Sequence, residues 1–223
     1  MQEIWMWFSE AARYCAGLSL LLLIFKIRRL PWLFRILIFV LAVDLLTESL
    51  ATWMFYRKIN NMPLLHLYTL LSFWLFSFFF RELFRKKPLV RRYFWPYLAA
   101  VTLALAANTL WLEPFDGFNS NAKTLVQALF IGYVVYYLFD AFGKTDFLQA
   151  RDLAISLVNM AILIYNAGSL FIFMFAKTLN NGMLSTKAQS GLWMMNSLLY
   201  LIFQLLLLFA VWIQVFKATK SSS

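Results

Sequence analysis

The residues with the clearest chemical potential are two acids in the second apolar segment of the chain. Asp44 and Glu48 are four positions apart, so on a helix they share one face. A charged side chain in hydrocarbon costs roughly 2.5–3.5 kcal/mol on insertion scales, and such residues usually face the interior of a helix bundle. The pair therefore predicts a site for a cation, a proton or a small polar ligand.

Other polar residues are expected at a similar depth in neighbouring apolar segments. They are Arg13, His66, Asn166, Asn196 and Tyr200. Together with Asp44 and Glu48 they form the predicted ligand site, a cavity between helices that opens outward. The alternative is that these groups hold the helices together by hydrogen bonds. In that case Arg13 could neutralise Glu48 as a structural ion pair.

Several kinds of chemistry have no support in the sequence. His66 is the single histidine, which excludes a bis-histidine haem and makes a zinc site with acids of another helix poor. The last apolar segment has no central lysine for a retinal Schiff base, and no Gly-rich phosphate loop is present. We predict no cofactor, no metal and no catalytic residue. Acid/base chemistry by paired carboxylates leaves an enzyme as an alternative.

The composition identifies the solvent of these side chains as lipid. Apolar residues make up 63% of the 223 residues and charged residues 13%, whereas soluble domains average nearer half and a quarter. A helix needs about 20 mostly apolar residues to cross a bilayer. Seven segments qualify: 4–26, 34–55, 63–82, 93–112, 123–142, 153–177 and 190–215. We therefore predict an all-α, polytopic membrane protein, a single domain of seven transmembrane helices.

Details within the segments support this prediction. The first segment is the weakest, because it contains Glu10 and Arg13, which are three apart and could pair. All five prolines lie at or near the predicted segment boundaries. We expect none of them to interrupt a span. Asn60 and Asn61 precede Pro63 and are expected to cap the third helix.

Basic residues predict the orientation. Fourteen of the 20 Lys and Arg residues lie in the first, third and fifth connections and the tail: Lys26, Arg28, Arg29, Arg35, Arg81, Arg85, Lys86, Lys87, Arg91, Arg92, Lys144, Arg151, Lys217 and Lys220. The basic-rich side is cytoplasmic. With seven spans, the N-terminus is then outside and the C-terminus in the cytoplasm.

The same distribution suggests the partners. A net charge of +10 is compatible with nucleic acid, but charges placed between apolar segments instead predict contact with the lipid bilayer. We expect a multi-pass protein of a bacterial plasma membrane that acts as a sensor. It would bind a small polar or cationic ligand and signal through a separate membrane or cytoplasmic protein. The alternatives are a small-solute or proton-coupled transporter and a structural subunit of a membrane complex; the oligomeric state is not predicted.

Overall fold

The computed structural model describes residues 2–142, 150–178 and 185–220. Over these residues the chain forms seven α-helices and no strand: α1 Gln2–Phe25, α2 Trp32–Tyr56, α3 Met62–Leu83, α4 Pro88–Ala107, α5 Ser120–Phe142, α6 Ala150–Thr178 and α7 Thr186–Lys220. A short 3₁₀ turn covers Ile27–Arg29, and a π-helical segment, Asn108–Leu112, continues α4. The predicted all-α, polytopic architecture is confirmed.

Six helices in the described ranges are long and apolar enough to cross a membrane. The qualifying stretches are Met6–Phe25, Met62–Leu83, Pro88–Leu112, Ser120–Ala141, Leu153–Met174 and Lys187–Phe216. The remaining helix, α2, has 25 residues and is about 37 Å long at 1.5 Å per residue. Its crossing stays a prediction, as does the orientation, for which Lys144 lies outside the described residues.

The chain divides into two compact units. Unit 1 comprises Met1–Leu30 and Gln127–Ser223, and unit 2 comprises Pro31–Val126. Unit 1 contains α1, α6, α7 and most of α5. Unit 2 contains α2, α3, α4, the π-helical segment and the first turns of α5.

Unit 1 is organised around α7, which packs against both α1 and α6. On α1 the buried side chains Ala12 and Ala16 are small, which allows close approach of helix backbones. On α6, a Cβ added to Gly168 would lie 2.8 Å from Cδ2 of Leu199 on α7. The absence of a side chain at Gly168 is therefore part of the α6–α7 contact.

Unit 2 has an aromatic core between α2 and α3. Phe73, Phe79 and Phe80 of α3 are buried, as are Phe34 and Leu41 of α2. The rings of Phe79 and Phe80 meet edge to face with centroids 5.4 Å apart, a favoured aromatic arrangement. This core fixes α2 against α3 and so places their polar residues.

One expectation about the prolines is wrong. Pro31 precedes α2, and Pro63 and Pro88 lie in the first turns of α3 and α4, but Pro96 lies inside α4. The helix begins at Pro88, five residues before the predicted span, because apolar composition marks the hydrocarbon-embedded part and a helix can extend beyond it. Within α4, Pro96 cannot donate a backbone hydrogen bond to the preceding turn.

We predict that Gly168→Val destabilises unit 1. The new side chain would overlap Leu199, and overpacking of this kind costs about 1–3 kcal/mol. The control is Gly132→Val on α5, where an added Cβ meets nothing within 4 Å. Thermal unfolding in detergent should show a lower midpoint for Gly168→Val than for Gly132→Val; equal midpoints would contradict the close α6–α7 contact.

Candidate functional site

Asp44 of α2 is buried against α3. Its side chain is 4% exposed, and the Tyr68 hydroxyl donates a hydrogen bond of 2.8 Å to its Oδ1 atom. Tyr68 therefore supplies part of the polar environment that a carboxylate needs away from water. Glu48, one turn further along α2, lies on the same face.

A lysine from α5 completes this group of charges. The Nζ atom of Lys123 lies 5.1 Å from the centroid of the Tyr68 ring, within the range of a cation–π contact. Lys123 also interacts electrostatically with both Asp44 and Glu48. We call Asp44, Glu48, Tyr68 and Lys123 the charged cluster.

The sequence pattern predicted the two acids of the charged cluster as site residues but did not include Lys123. The feature that could have identified Lys123 is its position in the sequence. Lys123 is the one lysine or arginine within 120–142, and it stands in the first turn of the helix rather than before it. A cation at the start of an apolar helix can reach acids of a neighbouring helix.

His66 connects α3 to the end of α4 and to the following loop. Its Nε2 lies 3.1 Å from the carbonyl oxygen of Gly117, and its Nδ1 lies 3.2 Å from Oγ1 of Thr109. A carbonyl only accepts, so Nε2 carries the proton. Nδ1 faces the Thr109 hydroxyl, which also donates to the backbone oxygen of Leu105 at 3.1 Å. The ring of Phe115 packs on the imidazole at 5.5 Å between centroids. His66 thus fastens the loop to α3.

The loop itself is held by the carboxylate of Glu113, which is 2% exposed. The Ser120 hydroxyl donates to Oε1 at 2.6 Å, and the Asn108 amide donates to Oε2 at 2.9 Å. The backbone amide of Asn121 donates to both oxygens at 3.0 Å. Glu113 therefore joins the π-helical segment to the first turn of α5, where helix amides lack internal acceptors.

These contacts decide the ionisation of Glu113. Burial opposes the charged form, but the hydrogen bonds from Ser120, Asn108 and the amides of Asn121 and Ala122 outweigh it and lower the pKa of the carboxyl group. A carboxylate that accepts several hydrogen bonds is stabilised in its charged form. Glu113 is thus an anion at neutral pH.

Two asparagines attach the loop to the rest of unit 2. Asn119 donates to Oγ1 of Thr69 at 2.9 Å. Asn60 donates to the backbone oxygen of Asp116 at 2.9 Å and accepts a hydrogen bond from the Met62 amide at 2.9 Å. The Asn60 side chain thus satisfies the first amide of α3, whereas Asn61, which stands at the N-cap, makes no side-chain capping hydrogen bond.

A cavity of about 650 Å³ lies within unit 2 beside this loop. Its walls are mostly apolar and come from α3 and α4, with Phe115 of the loop and Met54 of α2. His66, Thr69, Thr102, Thr109 and Asn119 provide its polar surface. Its volume falls in the range of small-molecule sites.

Unit 2 therefore contains three of the predicted site residues, and they lie in two separate groups. His66 lines the cavity, whereas Asp44 and Glu48 are not among its lining residues and belong to the charged cluster. The sequence did not identify the loop 113–119, because Glu113 lies between apolar segments and looks like an ordinary boundary acid. Its distance of seven residues from Ser120 carries no recognisable capping pattern.

The other predicted site residues lie in unit 1. Arg13 forms an ion pair with Glu10 at 3.7 Å, as their spacing predicted. The Asn166 side chain donates to the backbone of its own helix, to the Ile162 oxygen at 2.7 Å. Tyr200 packs against Tyr165 with ring centroids 5.9 Å apart. Asn196 has a buried Oδ1 atom that accepts no hydrogen bond from the described residues.

The convergence of all seven predicted residues on one cavity stays a prediction. Within the described ranges, no group of three or more His, Cys, Asp or Glu side chains could hold a metal ion. What the geometry brings together in unit 2 is a charged cluster and, separately, an apolar cavity bordered by hydrogen-bonded polar groups.

We predict that Glu113→Gln destabilises unit 2 by about 1.5–3 kcal/mol, the range of hydrogen bonds to charged groups. The matched control is Asp116→Asn, which removes an exposed charge from the same loop and leaves the backbone contact with Asn60 intact. Thermal unfolding in detergent at neutral pH should separate the two variants. A Glu113→Gln protein as stable as Asp116→Asn would contradict the role given to this carboxylate.

The same group predicts a pH dependence. Because its pKa is lower in the folded protein, Glu113 contributes stability above the ordinary glutamate pKa of about 4.3. That contribution is lost as the pH falls through the folded-state pKa. The stability difference between wild type and Glu113→Gln should therefore shrink below about pH 4.3; a constant difference throughout the acid range would contradict the assignment.

Comparison with protein-family models, curated proteins and solved structures finds no match to this chain. A fold of this kind does not by itself define an activity.

Proposed function

We propose that this chain is a multi-pass membrane sensor that binds a small ligand in the cavity of unit 2. The observation that carries the proposal is the cavity of about 650 Å³ bordered by His66, Thr109 and Asn119. Apolar pockets with a few convergent polar groups are the usual form of small-molecule sites. The basic-residue bias further supports placement in a cytoplasmic membrane with the C-terminus inside.

The walls favour a ligand with an apolar body and a small polar end. Leu64, Leu70 and Leu105 are among the lining residues, and His66 is already hydrogen-bonded within the protein. A strongly hydrated ion would therefore lose its water without enough new partners. This differs from the small polar or cationic ligand expected from Asp44 and Glu48, which do not line the cavity.

The π-helical segment offers a route from ligand to response. Thr109 and Leu110 of this segment line the cavity, and Asn108 of the same segment bonds to Glu113. A ligand that contacts Thr109 or Leu110 would act on Glu113 and on the start of α5. A partner protein would then detect the change.

The charged cluster favours a second function, proton-coupled or cation-coupled transport. A carboxylate hydrogen-bonded to Tyr68 and close to Lys123 is a group whose protonation would alter its neighbours. Intramembrane acids and lysines often mark proton or ion pathways. In this function Asp44 is the coupling residue, and the cavity has no required role.

Ligand binding is tested with a panel of medium-chain alkyl alcohols, amines and carboxylates. A ligand that binds the folded state raises its unfolding midpoint with saturation. We predict that one class does so for wild type and for Ala104→Phe, but not for Ala106→Phe. Ala106 lines the cavity and Ala104 does not, although both are exposed residues of α4. Equal shifts in all three proteins would contradict the proposed site.

Uptake into proteoliposomes separates sensing from transport. A sensor binds the stabilising compound without accumulating it in the vesicles. Uptake that disappears in Asp44→Asn would replace the sensor proposal with the transport function. If no compound binds and the protein is stable only with a co-purified partner, the chain is instead a structural subunit.

A further inference from the structure

The connection between α3 and α4 concentrates positive charge at one end of unit 2. Within residues 81–92 the chain has six basic residues and one acidic residue, Glu82. The basic residues are Arg81, Arg85, Lys86, Lys87, Arg91 and Arg92, and all except Lys87 are exposed. Glu82 forms a 3.0 Å ion pair with Arg85, so most of the positive charge is available to an external anion.

Arg81 is held in place by aromatic rings. Its guanidinium carbon lies 4.9 Å from the centroid of Phe94 and 5.4 Å from that of Trp95. These two rings contact each other at 5.3 Å. A planar guanidinium stacked on aromatic faces is pre-organised for bidentate bonding to phosphate. Arg81 therefore differs from a freely rotating surface cation.

The first turn of α4 adds backbone donors beside these side chains. The helix begins at Pro88 after Lys87, with no side-chain cap and no acidic residue in its first turn. The amides of Leu89 and Val90 lack acceptors within the helix, as the first amides of any helix do. A helix start of this kind favours a bound anion, and here Arg91 and Arg92 follow directly in sequence.

The position of these groups relative to the bilayer indicates which kind of molecule carries the bound anion. Trp95 is 57% exposed and lies about two turns into α4, near the end of an apolar helix. Exposed tryptophans near helix ends anchor at the headgroup level of a bilayer. Clusters of four to eight basic residues next to a transmembrane helix attract anionic lipids.

We propose that the α3–α4 connection is a binding site for the phosphate headgroup of an anionic phospholipid. Arg81, fixed on Phe94 and Trp95, and the first amides of α4 hold the phosphate, while the neighbouring basic residues supply attraction. The site lies at the opposite ends of α3 and α4 from the loop 113–119. It does not depend on the proposed ligand cavity.

The test uses the full chain in detergent, titrated with phosphatidylglycerol or phosphatidylcholine and analysed by native mass spectrometry. Wild type should bind phosphatidylglycerol more tightly than phosphatidylcholine. Arg85→Gln/Lys86→Gln should weaken this binding by roughly fivefold per removed charge. The matched control is Arg57→Gln/Lys58→Gln, which removes two exposed charges from the α2–α3 turn and should leave the affinity unchanged.

A charge-conserving variant distinguishes a binding site of defined geometry from non-specific electrostatic attraction. Arg81→Lys keeps the charge but removes the planar guanidinium, which stacks on the rings and can donate two hydrogen bonds to one phosphate. The variant should therefore bind phosphatidylglycerol several-fold more weakly. Circular dichroism and the elution volume confirm that each variant is folded. Equal retention of both lipids, an unchanged affinity in Arg81→Lys or an equal loss in the control would overturn the proposal. Displacement of the lipid by inorganic phosphate alone would assign the site to a soluble anion instead.

Discussion

The buried carboxylate of Glu113 is the constraint on which the candidate site of unit 2 depends. A charge removed from water must be fully hydrogen-bonded, and Glu113 meets this requirement by collecting donors from Asn108, Ser120 and Asn121. The same bonds fix where α4 ends and α5 begins. They therefore set the loop that borders the cavity and hold Lys123, three residues after Ser120, near Asp44 and Glu48.

The polar groups of unit 2 serve two different purposes. His66, Asn119 and Asn60 are used to attach the loop 113–119, since each makes defined hydrogen bonds to it or from it. The charged cluster instead groups ionisable side chains from three helices in the same unit. This separation explains why the ligand cavity is mostly apolar although acids and a lysine lie in the same unit.

The sequence predicts the fold well because lipid imposes strong rules on it. Span length and apolar composition predicted the seven helices to within a few residues at most ends, and the spacing of Glu10 and Arg13 predicted their ion pair. The start of α4 at Pro88 was missed, because a helix can continue into the headgroup region, where Arg91 and Arg92 are tolerated. The contact of Lys123 with Tyr68 and the role of Glu113 depend on helix positions far apart in sequence, which composition and periodicity do not specify.

We propose that the cavity beside His66 binds a small molecule with an apolar body and a small polar end. The most direct measurement is mass-spectrometric identification of small molecules that co-purify with the full chain from its native membrane. A compound with an apolar body should be enriched with wild type and with Ala104→Phe, and depleted with Ala106→Phe. Identical sets of compounds from all three proteins would contradict it.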